Sequence, residues 1–258
     1  MRRWLQASIA AWATAAAGCA SSDLGGPDLG VPGAIDASAD AALRSMGELL
    51  GSAERFEFEA LTMVDPHPDA WPPFRERGEV TITGARPGRL LGRVRSAHAR
   101  RDFHLDDGRL SVHDLDRGVY AVIEAPGTID ETLDLLMDEY DVSIQLADVL
   151  YADPYAAMSE SLEEARDLGA TVVGGRPCRH LAFRQAGLEW QLWVEEGERP
   201  VPRKIVLLYD EPGTPEFEAT WTRWELSPPP DDRRFRFEPP PSAREVELEQ
   251  LLRPEEER

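Results

Sequence analysis

Over much of this chain the apolar residues fall on every second position. Within Leu188–Val194, the residues Leu188, Trp190, Leu192 and Val194 share one side, and Glu189, Gln191 and Glu195 share the other, with Trp193 the one apolar exception. A period of two is that of a strand with one buried face. Leu181 and Phe183 begin the same alternation in the strand before, and Phe217 and Trp221 repeat it in the strand after. Earlier in the chain Phe56, Phe58 and Ala60 alternate with Arg55, Glu57 and Glu59, and Val80 and Ile82 follow in Glu79–Thr83. Further strands are predicted over Leu90–Ser96, Arg100–Leu105, Arg109–Asp114 and Val119–Glu124.

Turn signals separate these strands: Arg86-Pro87-Gly88-Arg89, which fits a type II turn, then Asp107-Gly108 and Asp116-Arg117-Gly118. Their spacing of roughly eight to twelve residues predicts an antiparallel sheet or barrel rather than βαβ units. Three-to-four periodicity replaces the alternation in two places. Ser38–Gly51 carries Ala42, Met46, Leu49 and Leu50 on one face, with Ser38 as cap and Gly51 as stop. Thr128–Tyr140 has a capping box, Thr128 with Glu131, and a stripe of Leu133, Leu136, Met137 and Tyr140. Short helical stretches at Ala147–Tyr151 and Tyr155–Leu162 follow, so helices lie between two sets of strands and are expected to cover the sheet. The fold class predicted is mostly β (α+β). Arg233–Glu238, between two proline triplets, can be at most an edge strand, and residues 241–258 read as an acidic mobile tail.

At the N-terminus a basic start and an alanine-rich apolar run, residues 1–18, fit a secretory signal peptide and are too short for a comfortable membrane span. The run ends in Ala16-Ala17-Gly18-Cys19, which resembles the bacterial lipobox, with Cys19 as the acylated residue. The alternative is an ordinary cleaved signal with an incidental cysteine. Residues 19–37 are Gly-, Pro- and Ser-rich and read as a flexible tether. A formal charge of −20 repels phosphate backbones, so nucleic-acid binding is disfavoured. Lys204 is the only lysine, a sign of coding bias rather than chemistry.

Three blocks carry a family resemblance: Ala125-Pro126-Gly127-Thr128-Ile129-Asp130-Glu131, Ala147-Asp148-Val149-Leu150-Tyr151-Ala152-Asp153-Pro154-Tyr155, and Gly175-Arg176-Pro177-Cys178-Arg179-His180-Leu181-Ala182-Phe183-Arg184. With Trp190-Gln191-Leu192-Trp193 and Pro202-Arg203-Lys204, they make residues 38–240 resemble a predicted periplasmic family of uncharacterised function. That family is grouped with the outer-membrane lipoprotein carriers and the mycobacterial lipid-carrying lipoproteins. The resemblance implies a curved antiparallel sheet of about eleven strands, a half-open barrel with a helical lid over an apolar cavity.

Two polar constellations invite chemistry. Cys178 and His180 share a strand face, where a thiolate–imidazole pair could form, but nothing supplies an oxyanion donor or an orienting group. The plainer reading is a small buried cysteine beside a satisfied histidine. His98, His104 and His113 lie on successive predicted strands and could converge on zinc, yet no ligand-type spacing supports it, so solvated histidines are expected.

The reading is therefore an exported, lipid-anchored envelope protein, a monomer without cofactor, metal or catalytic step, held to the outer membrane through acylated Cys19. It is expected to bind an acyl chain or similar hydrophobic ligand. Lid residues would be Leu133, Leu136, Met137, Val149, Leu150 and Tyr155. The sheet wall would be Phe56, Phe58, Val80, Ile82, Leu181, Phe183, Leu188, Trp190, Leu192, Phe217 and Trp221. For a generic sheet the same face is plain core. The alternative function is an envelope sensor or scaffold that binds a protein partner through an exposed Trp193–Trp224 patch on the convex face.

Overall fold

The computed structural model describes residues 33–65, 75–142, 144–210 and 216–252. The expected signal peptide, Cys19 and most of the expected tether lie outside these residues. Helix α1 (Ala37–Ser52) leads into β1 (Arg55–Val64), β2 (Glu76–Ala85), β3 (Arg89–Arg95), β4 (Arg100–Asp106), β5 (Arg109–Asp114) and β6 (Val119–Glu124). Helix α2 (Ile129–Tyr140), a 3₁₀ turn at Ala147–Val149 and α3 (Pro154–Ser159) follow. Then come β7 (Glu164–Val173), β8 (Arg176–Gln185), β9 (Leu188–Glu195), β10 (Pro202–Tyr209) and β11 (Phe217–Leu226). A 3₁₀ turn (Asp232–Phe235), the two-residue β12 (Arg244–Glu245) and α4 (Leu248–Leu252) close the described chain.

All strands form one unclosed sheet in the order β12-β6-β5-β4-β3-β2-β1-β11-β10-β9-β8-β7. Its pairs are antiparallel except β12 with β6. The sheet is thus two meanders, β1–β6 and β7–β11, joined by the β1–β11 ladder. This order places β6 towards one rim and β7 at the other. The connection between them must traverse the sheet, and it carries α2, the Ala147–Val149 turn and α3. Topology puts the lid there.

Local chemistry sets the helix ends. The carboxylate of Asp36, not Ser38, caps α1 by accepting from the Ser38 N–H at 3.1 Å. Its buried face is Ala39, Leu43, Met46, Gly47 and Leu50, rotated from the predicted one. The α2 capping box forms as expected: Thr128 Oγ1 accepts from the Glu131 N–H at 3.1 Å and donates to the Glu131 carboxylate at 2.8 Å. The Asp153 side chain caps α3 from the Ala156 N–H at 2.9 Å. The β2–β3 turn departs from type II, since Gly88 does not take the positive φ that such a turn needs at its third residue.

A bulge corrects the face assigned to Trp224. Between Glu59 and Ala60 the β1–β11 register shifts, so Ala60 faces Trp221 while Phe58 faces Trp224. One extra residue on β11 reverses the alternation. Trp221 and Trp224, three apart, therefore both pack on the Phe58 side, and no Trp193–Trp224 patch exists on the convex face.

The C-terminal segment also differs from expectation. Asp232–Phe235 is a 3₁₀ turn lying across the outer face of the sheet, where Phe235 is buried against Ala85 and Leu91. Proline triplets on either side deny this strap a ladder of its own. Beyond it, α4 buries Leu248 and Leu251, spaced three apart, in the same core as the lid helices. The Arg117 guanidinium closes the helix end by donating to the carbonyls of Gln250 and Leu251. Up to Leu252 the expected mobile tail is packed structure.

Candidate ligand-binding site between lid and sheet

One continuous apolar cluster contains every residue predicted for the lid and the wall. Phe56, Phe58, Ile82, Leu181, Phe183, Trp190, Leu192, Phe217 and Trp221 are buried on the sheet side, as are Leu133, Leu136, Val149 and Leu150 on the lid side. Val80, Leu188, Met137 and Tyr155 are half-buried against them. Aromatic rings make the sheet floor: Phe183 stacks on Trp190 at 4.0 Å between centroids, and Phe58 meets Trp221 edge-on at 6.3 Å. The Trp224 indole N–H is satisfied by the Pro202 carbonyl at 2.9 Å. That of Trp221 is buried with no partner. An orphaned donor of this kind costs roughly 1–3 kcal/mol.

The lid is tied at one end. Arg86, on the β2–β3 turn, donates to the carbonyls of Leu150 and Tyr151, each at 2.8 Å. The Asp130 carboxylate on α2 accepts from the Ala152 N–H at 3.0 Å. Burial lowers the Arg86 pKa, and the Asp130 charge opposes that shift. Tyr155 also makes polar contacts. Its hydroxyl donates to Asp40 at 2.6 Å and its ring lies under the Arg44 guanidinium, so it fastens α3 to α1.

At the other end the cluster opens into a cavity of about 110 Å³. Val149 and Met158 line it from the lid, and Leu188, Trp190, Ile205, Leu207 and Tyr209 from the sheet, with Gln145, Asp148 and Gln185 also in its wall. Burial, with the nearby Asp148 charge, raises the Tyr209 phenol. Drug-sized ligands occupy about 300–1,000 Å³. Side chains thus fill most of the space between lid and sheet. Met158, Ile205, Leu207, Tyr209, Trp224 and Arg86 escape the sequence reading. Ile205 and Leu207 alternate inside an unbroken apolar run, Ile205–Leu208, which hides their period; Arg86 gives no signal beyond its turn.

The polar constellations do not assemble. Cys178 is buried, burial raises its thiol, and it bonds the Arg176 carbonyl. His180 bonds Gln191 Oε1 at 2.8 Å and stacks on Trp193 at 4.1 Å, so no Cys–His pair forms. His98 stands in the exposed β3–β4 turn, whereas His104 and His113 both pack on Phe237 outside the sheet. Among the described residues no helix is long and apolar enough to cross a membrane.

These features define a class: a half-open antiparallel barrel whose concave face is lidded by helices. Within it, the chain belongs to the family described as predicted periplasmic protein DUF2092, whose pattern matches residues 39–249. Its backbone is similar to an uncharacterised conserved protein from Thermus thermophilus (TM-score 0.48, 10% identity, 81% of this chain and 99% of that one). It is similar also to LprF from Mycobacterium bovis (0.44, 11%, 82% and 100%). The lipoprotein LppX from Mycobacterium tuberculosis aligns as well (0.44, 9%, 76% and 98%). No curated protein matches the chain by sequence.

Proposed function

We propose that this protein binds a hydrophobic ligand with an acyl chain, reversibly and without a chemical step, between the α2–α3 lid and the concave sheet. The observation that carries the reading is the apolar cluster shared by lid and sheet, which opens at one end into a cavity lined from both sides. Each methylene taken up contributes about 0.8 kcal/mol, so a long chain can offset the displacement of packed lid side chains. Opening the lid, which Arg86 ties at Leu150 and Tyr151 and Tyr155 ties to α1, would enlarge the 110 Å³ space. The unpartnered Trp221 N–H lies in the same cluster but outside the lining of this cavity, and an oxygen of a chain that entered more deeply would satisfy it. Anchoring through acylated Cys19 at the outer membrane, and a role in lipid or lipoprotein transfer, belong to the same proposal. The protein-partner alternative loses the surface that would have favoured it, because Trp224 faces inward.

The test is native mass spectrometry and organic extraction of the exported full chain carrying Cys19→Ala, purified without detergent. A lipid at one equivalent, displaced in Leu136→Asp and held more weakly in Trp221→Phe, is the expected result. A ligand-free mass, with no uptake from a bacterial lipid extract, sinks the proposal.

A further inference from the structure

A larger cavity than the one under the lid lies elsewhere. It is an open groove of about 590 Å³ on the outer face, between β4–β5 and the strap, lined by Asp102, His104, His113, Arg233, Arg236 and Phe237 among others. The strap is held down by three of its residues. Asp232 pairs with Arg55 and Arg89, Arg234 pairs with Glu57, and Phe235 is buried. Arg233 in the turn and Arg236 at its C-terminal cap both line the groove. Phe237 then packs its ring on His104, His113 and Tyr120, with centroids 5.4, 5.7 and 5.4 Å away.

Charge makes the groove unusual. In a chain with 20 more acidic than basic residues, arginines find carboxylates easily. Arg95 is paired with Asp102, Arg101 with Asp114 and Arg100 with Asp116. Arg233 and Arg236, by contrast, have no ion-pair partner among the described residues, and neither does Arg93, which is opposite Asp102 in the β3–β4 register. Glu238 is the one unpaired carboxylate in the lining, since Asp102 is already neutralised. Burial lowers the His104 imidazole against the pull of Asp102, with Arg93 acting in the same direction as burial, so His104 enters as a neutral ring.

The geometry points to a second binding site, a groove that takes a compact phosphate group on the Arg233 and Arg236 guanidinia, with the organic part of the ligand against Phe237. Guanidinium forks match phosphate oxygens two at a time, and an aromatic floor favours an organic phosphate over the bare ion. The site lies on the opposite face of the sheet from the lid cavity and does not depend on it. A soluble phosphate ester and a phospholipid headgroup present the same chemistry.

Titration calorimetry of the full chain carrying Cys19→Ala, at low salt, uses inorganic phosphate and glycerol 3-phosphate. Flotation with phosphatidic acid vesicles, against phosphatidylcholine vesicles, tests the headgroup. Binding that weakens about tenfold or more in Arg233→Gln/Arg236→Gln is expected. Soluble ligands alone would assign a free phosphate, and vesicles a headgroup. Both side chains are exposed and unpaired, so the double variant should unfold at the wild-type temperature. Arg93→Gln alone should weaken binding less. No binding by the parent chain in either assay, or binding indifferent to the double substitution, overturns the inference.

Discussion

Gly47 on α1 faces Tyr155 on α3 so closely that a Cβ on the glycine would stand 2.6 Å from the tyrosine Cβ and 2.7 Å from its backbone nitrogen. One turn later Gly51 meets the Ala152 carbonyl in the same way, at 2.6 Å. These glycines give α1 a flat strip on which the end of the lid lies. Gly47→Ala would gain about 1 kcal/mol of helix propensity. Overpacking costs about 1–3 kcal/mol, and here the obstacle includes backbone that cannot rotate away. The expected outcome is a net loss of stability in urea unfolding, larger for Gly47→Val. An alanine variant as stable as the parent would show that α3 does not need this approach.

Arg86 satisfies two lid carbonyls while its guanidinium lies 5.1 Å from the Phe56 ring. Arg86→Met keeps an apolar stem there and removes the donors. It should cost about 1–3 kcal/mol. Hydrogen exchange should quicken at 147–152 well before it changes in α1. Uniform acceleration across the protein would instead mean that the lid has no separate opening.

Glu57 ties the strap to the sheet. Burial pushes its carboxyl up, but the Arg234 hydrogen bond and charge, with Thr83 and Arg223, outweigh burial and hold it below its ordinary value. A depressed folded pKa contributes stability above the unfolded value and loses it as pH falls through the folded one. The stability difference between the parent and Glu57→Gln should therefore be full at neutral pH and shrink below about pH 4. Thermal unfolding across that range measures it, and a difference constant with pH would contradict the ion-pair account.

The strands, the α2 capping box and the lid are legible because alternation, turn residues and caps are local signals, and local signals agree with the fold from Arg55 to Glu195. Trp224 takes the face opposite to the one its spacing implies because one bulged residue, set by pairing with β1, reverses all that follows it. The strap residues Arg234-Phe235-Arg236-Phe237 alternate like a strand, yet the ion pairs of Asp232 to Arg55 and Arg89 and of Arg234 to Glu57 fix the strap across the sheet rather than in it. Such anchors come from more than a hundred positions away and leave no periodic trace. For the site, the sequence marks the apolar walls and not the tie at Arg86, since a turn arginine looks the same whether it bonds solvent or a lid.

The β6–β7 connection crosses from one rim of the sheet to the other, and the two meanders share a ladder only at β1–β11. The cover is therefore continuous with both outer margins of the sheet, and Arg86 on the β2–β3 turn stitches it to the middle. On the proposed function, lifting it would draw on those margins and on that stitch, so admission of a guest and widening of the trough would be one movement of a single thread.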